Sequence, residues 1–325
     1  MKTILAVIAA AALIAGALFV RTEVLDGRSL VDGVTDGSQV AVGEEAPQPE
    51  EDVRVACDAA LGDGCPAGAG RLSLDALLTA FQQQEVAFEV LIAPSAVVEL
   101  IESSQTSQAR FGNDRTTIAT TPLIAVVQAS QAEAVEQACG TDVTWRCLGE
   151  LIEDGGTRTA FPDPRSRTEG ITVLAALAGG FFETTSYNAN SFGDAAFLGW
   201  LDGVRAGSST DPDPVLTLIA RSGAENNSAI TIEATGLLTA QQGSDRLATE
   251  IYWPAPVASL SVVAVGIGGA DPDAAADTVD AAGQALGEAG WRGPDGAPID
   301  GGPAIGDDDG LPSGGVLFSL RGEWN

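Results

Sequence analysis

Hydrophobic residues recur along the chain at two spacings, and the two kinds of segment alternate. Residues 86–92 and 117–127 are almost continuous apolar runs, which are typical of buried strands. Residues 72–78 instead place leucines at helical spacing. Strands that alternate with helices predict an α/β fold with a mainly parallel sheet. The same patterns predict strands at 53–55, 229–234, 251–267 and 316–320, and helices at 96–102, 131–139, 145–153, 192–204, 215–221, 236–242 and 271–289.

Pro122 interrupts the strand at 117–127. A proline cannot donate to a neighbouring strand, so a proline in the middle of a strong strand indicates an edge, a bulge or a crossover. We interpret this strand as a hinge that passes between two lobes, with Thr120 and Thr121 lining the cleft. A return crossing is expected near Glu233. The predicted division is a first lobe of residues 53–125 and 233–325 and a second lobe of residues 126–232.

A turn and helix start within residues 157–180 form the first candidate binding site. After a proline-rich turn, Ser166 and Glu169 have the spacing of a capping box, an amphipathic helix follows, and the glycines at 179–180 predict its end. Free N–H groups at such a helix start favour an anionic or hydroxyl-bearing ligand. The alternative is an ordinary connection whose polar residues only cap the helix.

Ser95 is a second candidate of the same kind. It follows the strand at 86–92 and therefore stands at the carboxyl end of a strand, where open α/β sheets bind ligands. A plain helix cap is the alternative.

The first residues of the chain predict export. Lys2 precedes an apolar run from Ile4 to Val20 that ends at Arg21, which fits either an uncleaved membrane anchor or a cleaved signal peptide. Residues 1–21 are interpreted as this segment and the acidic residues 22–52 as a flexible linker. The body is then expected on the extracellular face of the cell membrane, or secreted if the signal is cleaved.

Charge and composition exclude several functions. The chain of 325 residues has a net charge of −29, which would repel nucleic acid. It contains no histidine, so Ser-His-Asp and Cys-His catalysis and histidine-ligated metals are excluded. No nucleophile and base can be paired from the residues, and the sequence predicts neither an enzyme nor a metal or cofactor site.

The four cysteines agree with an oxidising compartment. More than one pairing is possible for four cysteines. The local pairs, Cys57–Cys65 and Cys139–Cys147, each close a short loop and are the expected disulfides. A zinc site would need a tighter ligand spacing than these pairs show.

Five segments together resemble a known family. They are IATTPLIAVV at 118–127, TWRCLGELI at 144–152, FPDPRSRTEGITVLAAL at 161–177, ITIEATGLLTAQQG at 230–243 and GWRGPDG at 290–296. In order and spacing they resemble bacterial extracellular solute-binding proteins of the type II periplasmic-binding-protein fold. The resemblance is strongest to an actinobacterial substrate-binding group that is often joined to a von Willebrand factor A domain, and that second domain is absent from this sequence.

The resemblance implies capture of a small polar or anionic solute between two lobes by hinge closure, without a cofactor. It suggests an ABC transporter permease as the partner. The ligand positions of the family fall on Ser95, Thr120, Thr121, Ser166, Thr168 and Glu233.

One departure leaves a second function open. Residues 88–95 lack the tryptophan and aspartates that the group carries there. The fold could therefore serve as a surface-anchored interaction or envelope module that binds no small solute. Polar groups that converge in the cleft favour solute binding, whereas a cleft filled by apolar side chains favours the alternative.

Overall fold

The strands of the protein are connected through one long central strand. The computed structural model describes residues 54–104, 111–210, 219, 226–242, 248–299, 302–306 and 310–324. The predicted membrane segment, the linker and, apart from residue 219, the helix predicted at 215–221 lie outside these ranges. The strands are β1 (Val55–Asp58), β2 (Gly70–Leu72), β3 (Val90–Pro94), β4 (Phe111–Gln128), β5 (Thr159–Ala160), β6 (Ser208–Ser209), β7 (Ser228–Ile232), β8 (Thr249–Tyr252) and β9 (Ser259–Ile267).

Helices connect most of these strands. Short 3₁₀ helices occur at Ala59–Gly64, Ala189–Gly193 and Pro272–Ala275. The α-helices are α1 (Leu74–Gln83), α2 (Ser95–Ser104), α3 (Ala129–Cys139), α4 (Trp145–Glu153), α5 (Thr168–Phe182), α6 (Ala195–Gly207), α7 (Glu233–Gln242), α8 (Ala276–Glu288) and α9 (Gly314–Glu323).

The strand order is β2-β1-β3-β9-β4-β7-β5-β6, with β8 paired to β4 beside this path. In the first lobe, β1 is parallel to β2 and β3, and β9 runs antiparallel to β3 and to the first part of β4. Cys57 pairs with Ile92, so Asp58 and Ser95, which follow these positions, lie at the same carboxyl edge. In the second lobe, β7 is antiparallel to β4 and parallel to β5, and β5 is parallel to β6.

Prolines mark both crossings between the lobes. Pro122 is the last residue of β4 that pairs with β9, and Leu123 is the first that pairs with β7, which confirms the predicted first crossing. The return was predicted near Glu233, and this was wrong. Glu233 begins α7, and β8 still pairs with the second part of β4, so the chain returns only at residues 253–258. Pro254 and Pro256 lie in that stretch and cannot extend a ladder of strand hydrogen bonds.

The long helix α5 differs from its prediction at both ends. It begins at Thr168, and its N-cap residue, Arg167, makes no side-chain capping bond. The capping box was therefore wrong, because the Glu169 carboxylate is directed to β7. The helix also continues through the glycines at 179–180. A Cβ atom at Gly180 would overlap the backbone of Trp145 and Arg146, so this glycine allows α4 to pack closely and does not end the helix.

Two further predictions are corrected. The strand predicted from residue 117 begins at Phe111, because the polar residues before 117 also pair with β9. The strand predicted at 316–320 is helical and belongs to α9. Val316, Leu317 and Leu320 are buried on one side of that helix, and a short apolar run cannot distinguish a strand from a buried helix.

The core and the cysteines follow the sequence pattern. Ile171, Leu174 and Leu177 of α5 have no exposed surface, and burial of one such side chain contributes about 1.5–3 kcal/mol. Both expected disulfides, Cys57–Cys65 and Cys139–Cys147, are present. Among the described residues, no helix combines the length and the apolar composition that a bilayer crossing needs.

Candidate functional site

Five residues form a closed network beside the two crossings, and we call them the hinge cluster (Thr120, Thr121, Glu233, Trp253 and Arg292). Arg292 binds both carboxylate oxygens of Glu233, at 2.7 Å from Nε and 2.6 Å from Nη2, and both side chains are fully buried. Trp253 Nε1 donates to the same carboxylate at 2.8 Å. A buried charge is stable only when it is paired and hydrogen-bonded, and this pair meets both conditions.

The two threonines of β4 complete the hinge cluster. Thr120 exchanges backbone hydrogen bonds with Arg292, and its hydroxyl donates to the Gly293 carbonyl at 3.2 Å. Thr121 is fully buried, and its hydroxyl accepts from the Ala234 N–H at 3.3 Å. Three of the expected ligand residues, Thr120, Thr121 and Glu233, thus come together, and each has a partner within the protein.

A second polar group joins the two lobes at the start of α5, and we call it the junction cluster (Asp58, Arg167, Thr168, Glu169 and Thr231). The Thr168 hydroxyl donates across the lobes to Asp58 Oδ2 at 3.1 Å. Glu169 Oε1 accepts from the Thr231 hydroxyl at 2.7 Å and from the Ile232 N–H at 3.0 Å. The junction cluster therefore connects the carboxyl end of β1 with α5 and β7.

Both carboxyl groups of the junction cluster are shifted toward their neutral forms. Burial raises the pKa of Asp58 and of Glu169. This effect outweighs the hydrogen bonds that each carboxylate accepts and the nearby positive charge of Arg167, which act in the opposite direction. The surrounding protein therefore disfavours the charged form of both carboxyl groups relative to an exposed carboxyl.

Arg167 differs from the other members of the junction cluster because its side chain has an unsatisfied donor. Its Nε is buried and has no hydrogen-bond partner. Ile171 makes the first hydrogen bond within α5, to the Arg167 carbonyl, so the N–H groups at 168–170 have no partner within the helix. By contrast, the Arg165 side chain binds Asp163 through Nε and Nη2 and is largely exposed.

The two expected serines are placed at the edges of this region. Ser95 begins α2 at the carboxyl end of β3, and Ser166 lies in the turn before α5. Both are partly exposed, and neither hydroxyl bonds to another of the described residues. Their ligand role stays a prediction, as does that of Thr120, Thr121, Thr168 and Glu233.

The helix α9 contacts both lobes. It packs against α2 of the first lobe and against α5 of the second. Val316, Leu317, Leu320 and Trp324 are buried in these contacts. Apolar side chains therefore occupy part of the space between the lobes.

Sequence reasoning missed Asp58 and the partner of Glu233, and it did not separate Arg167 from Arg165 as a group that could pair an anion. Asp58 could have been found, because it lies three positions beyond the strand predicted at 53–55 and so near a carboxyl edge. The pairing of Glu233 with Arg292 spans 59 positions and leaves no local signal. Within the described residues, no group of three or more His, Cys, Asp or Glu side chains is arranged to hold a metal ion.

Comparisons with known proteins identify the fold. No protein-family model matches the sequence, and no curated protein matches it. Iron-bound HitA from Pseudomonas aeruginosa is similar with a TM-score of 0.56 at 12% identity, over 83% of this chain and 96% of that chain. Apo FutA2 from Synechocystis PCC6803 is similar with a TM-score of 0.50 at 14% identity, over 83% of this chain and 94% of that chain. Trichodesmium IdiA (FutA) in complex with iron and citrate is similar with a TM-score of 0.51 at 9% identity, over 79% of this chain and 87% of that chain.

The chain therefore has the predicted two-lobed α/β fold of type II periplasmic solute-binding proteins. The sheet is mixed and not mainly parallel as predicted, because β7 and β9 run antiparallel to β4.

Proposed function

We propose that the protein binds a small anionic or polar solute between its lobes, at the start of α5. The observation that carries this proposal is Arg167, whose buried Nε lacks an acceptor. A buried donor without a partner is costly, and an external acceptor would remove that cost. The positive end of α5 and its free N–H groups add to the attraction for negative charge.

The fold supports the same position. In open α/β sheets ligands bind outside the carboxyl ends of strands, and the junction cluster lies at the carboxyl ends of β1 and β7. Asp58 and Thr168 already meet across the lobes at 3.1 Å, so a solute would enter when the lobes rotate apart about the two crossings and would be enclosed when they close again. Ser95 and Ser166, whose hydroxyls have no described partner, are proposed to complete the site.

The proposal includes a location and a partner. We propose that the protein acts on the extracellular face of the cell membrane and delivers its solute to an ABC transporter permease. The two disulfides support an oxidising compartment. Protease accessibility of the native protein on intact cells tests the location, and co-purification of a permease under mild detergent tests the partner.

The binding test uses anions of known chemistry. Thermal unfolding is measured with phosphate, sulfate and citrate, and with citrate plus ferric iron because iron or citrate occupies two of the similar structures. A ligand at a hundred times its Kd stabilises by about 2.7 kcal/mol, so at least one probe should raise Tm by several degrees. Arg167→Gln should abolish the rise.

Arg165→Gln is the matched control. This variant removes the same charge two positions away. Because the Arg165 side chain binds Asp163, the variant should still show the rise in Tm. Absence of a shift with every probe, or equal binding by the Arg167 variant, would contradict the proposal.

A second function, a surface-anchored interaction module without a solute, is favoured by the apolar face of α9 between the lobes. If this is correct, no anion shifts Tm and the lobes keep one separation under all conditions. Small-angle scattering with and without the probes above distinguishes the two functions.

A further inference from the structure

The first half of α9 belongs to the first lobe. The Gly314 N–H donates to Glu99 Oε2 of α2 at 3.1 Å. A Cβ atom at position 314 would overlap the Glu99 backbone, so the two helices are in close contact there. Leu317 and Leu320 are buried beyond this point. The close fit fixes α9 to α2.

The end of α9 is held by the second lobe. Arg321 Nε donates to the Arg165 carbonyl at 2.7 Å, in the turn before α5. Arg205 of α6 donates to the Glu323 carbonyl at 2.7 Å, and its guanidinium lies 5.3 Å from the centre of the Trp324 ring. That ring is 5.7 Å from the ring of Phe161.

Two partners of α9 belong to helices next to the edge strands of the sheet. Arg321 also pairs with Asp75 of α1, which follows the edge strand β2. Arg205 belongs to α6, which leads into the opposite edge strand β6. The helix thus joins the outer parts of both lobes, whereas β4 joins them at the centre. Rotation about the crossings cannot separate the lobes while both ends of α9 are held.

We propose that α9 is a latch across the opening between the lobes. It stays on α2, and release of residues 321–324 from Phe161, Arg165 and Arg205 permits the lobes to open. The latch controls access to the start of α5, and this purpose rests on the proposed function. The opening itself does not depend on any ligand.

The test measures the distance between the lobes in the full chain. Spin labels are placed on Gln82→Cys in α1 and Gly199→Cys in α6, both exposed positions. Trp324→Ala removes the ring contacts with Phe161 and Arg205, and the ratio of open to closed molecules should rise about fivefold. Phe318→Ala is the matched control, because Phe318 is on the same helix with 41% of its surface exposed, and it should leave the distances unchanged.

A milder pair of variants covers the case in which Trp324→Ala does not fold. Arg205→Gln removes the bond to the Glu323 carbonyl, and Arg321→Gln removes the bond to the Arg165 carbonyl together with the first-lobe pair to Asp75. Each variant should move the distances in the same direction by a smaller factor. Unchanged distances in the folded latch variants would overturn the proposal. Longer distances without binding of phosphate, sulfate or citrate would uphold the latch and reject the solute site. If a probe binds but the distances do not change, the solute site is upheld and the latch is rejected.

Discussion

Single residues show how this fold uses its buried charges. Glu233, Thr120 and Thr121 resemble ligand residues in the sequence, but each has a partner inside the hinge cluster. Arg167 Nε has no hydrogen-bond partner, although the Arg167 charge lies near Asp58 and Glu169 and its sequence context gives no reason to prefer it over Arg165. The two arginines therefore differ in whether a carboxylate accepts their hydrogen bonds.

The buried ion pair gives the first prediction. Glu233→Ala leaves the charge of Arg292 buried without a counter-ion, and loss of one partner of such a pair costs about 3–5 kcal/mol. Urea unfolding should show this decrease in the free energy of unfolding. Arg146→Ala is the control, since it removes exposed pairs with Glu150 and Glu183, each worth about 0–1 kcal/mol. Equal losses in the two variants would contradict the structural role of Glu233.

The second prediction concerns pH. Burial raises the pKa of Asp58 above its ordinary 3.8, so the native state binds this proton more tightly than the unfolded chain. The ionised carboxylate then destabilises the native state, increasingly as pH rises from the ordinary pKa through the raised one. Asp58→Asn removes the charge and keeps an acceptor for the Ala60 N–H. It should be more stable than wild type at about pH 7, and the difference should shrink toward about pH 4.

Asp163→Asn serves as the control for this pH effect. Burial acts to raise the pKa of Asp163, but the hydrogen bonds and charge of Arg165 overcome it and lower the pKa. This variant should be less stable than wild type at about pH 7, and its deficit should disappear as pH falls through the lowered pKa. Thermal unfolding across the pH range measures both. If both variants were more stable than wild type at about pH 7, or both less stable, then burial would not dominate at Asp58 and pairing with Arg165 would not dominate at Asp163.

At the scale of elements, α5 organises the second lobe. Its apolar residues are buried on most sides, its start carries the junction cluster, and Gly180 lets α4 approach its backbone. Close packing of two helices at a glycine fixes the position of the helix start relative to β7.

Gly180→Ala is expected to force α4 and α5 apart, because the added Cβ meets backbone atoms that cannot rotate away. Overpacking of this kind costs about 1–3 kcal/mol. Gly199→Ala in α6 is the control, since nothing lies within 4 Å of the added atom and alanine favours a helix by about 0.5–1 kcal/mol. Chemical denaturation should therefore give changes of opposite sign. A neutral Gly180 variant would show that α4 and α5 are not in tight contact.

At the scale of the whole molecule, a net charge of −29 opposes compaction. The charges repel one another through solvent, and salt screens this repulsion over a Debye length of about 10 Å at 0.1 M. Because both lobes are negatively charged, salt that screens their repulsion should also help the lobes to close.

Salt should therefore stabilise the native protein. Raising sodium chloride from about 0.05 to 0.5 M at neutral pH should increase Tm by roughly 2–4 °C, which corresponds to about 1 kcal/mol. Near the isoelectric point of about 4.1 the same addition should have little effect, because the net charge is small there. A falling Tm at neutral pH would indicate that attractive ion pairs outweigh the overall repulsion.

Much of the fold could be read from the sequence because its signals are local. The strands around Pro122 and Pro254, the helix at Trp145–Glu153 and the cysteine pairs depend on residues within a few positions of one another. The ends of α5 and the nature of α9 could not be read in the same way. Whether a glycine ends a helix or allows another helix to pack closely depends on what lies against it. A short apolar run is compatible with either a strand or a buried helix.

The sequence by itself determined an α/β chain with a proline crossing in β4, a disulfide-compatible cysteine pattern and polar helix starts. Tertiary structure decided which of those polar groups are available. The hydrogen bond from Thr168 to Asp58 joins residues 110 positions apart, and that from Arg205 to Glu323 joins residues 118 apart. Spacing along the chain encodes backbone periodicity, whereas the partner of a buried charge is set by which distant segments exclude water together.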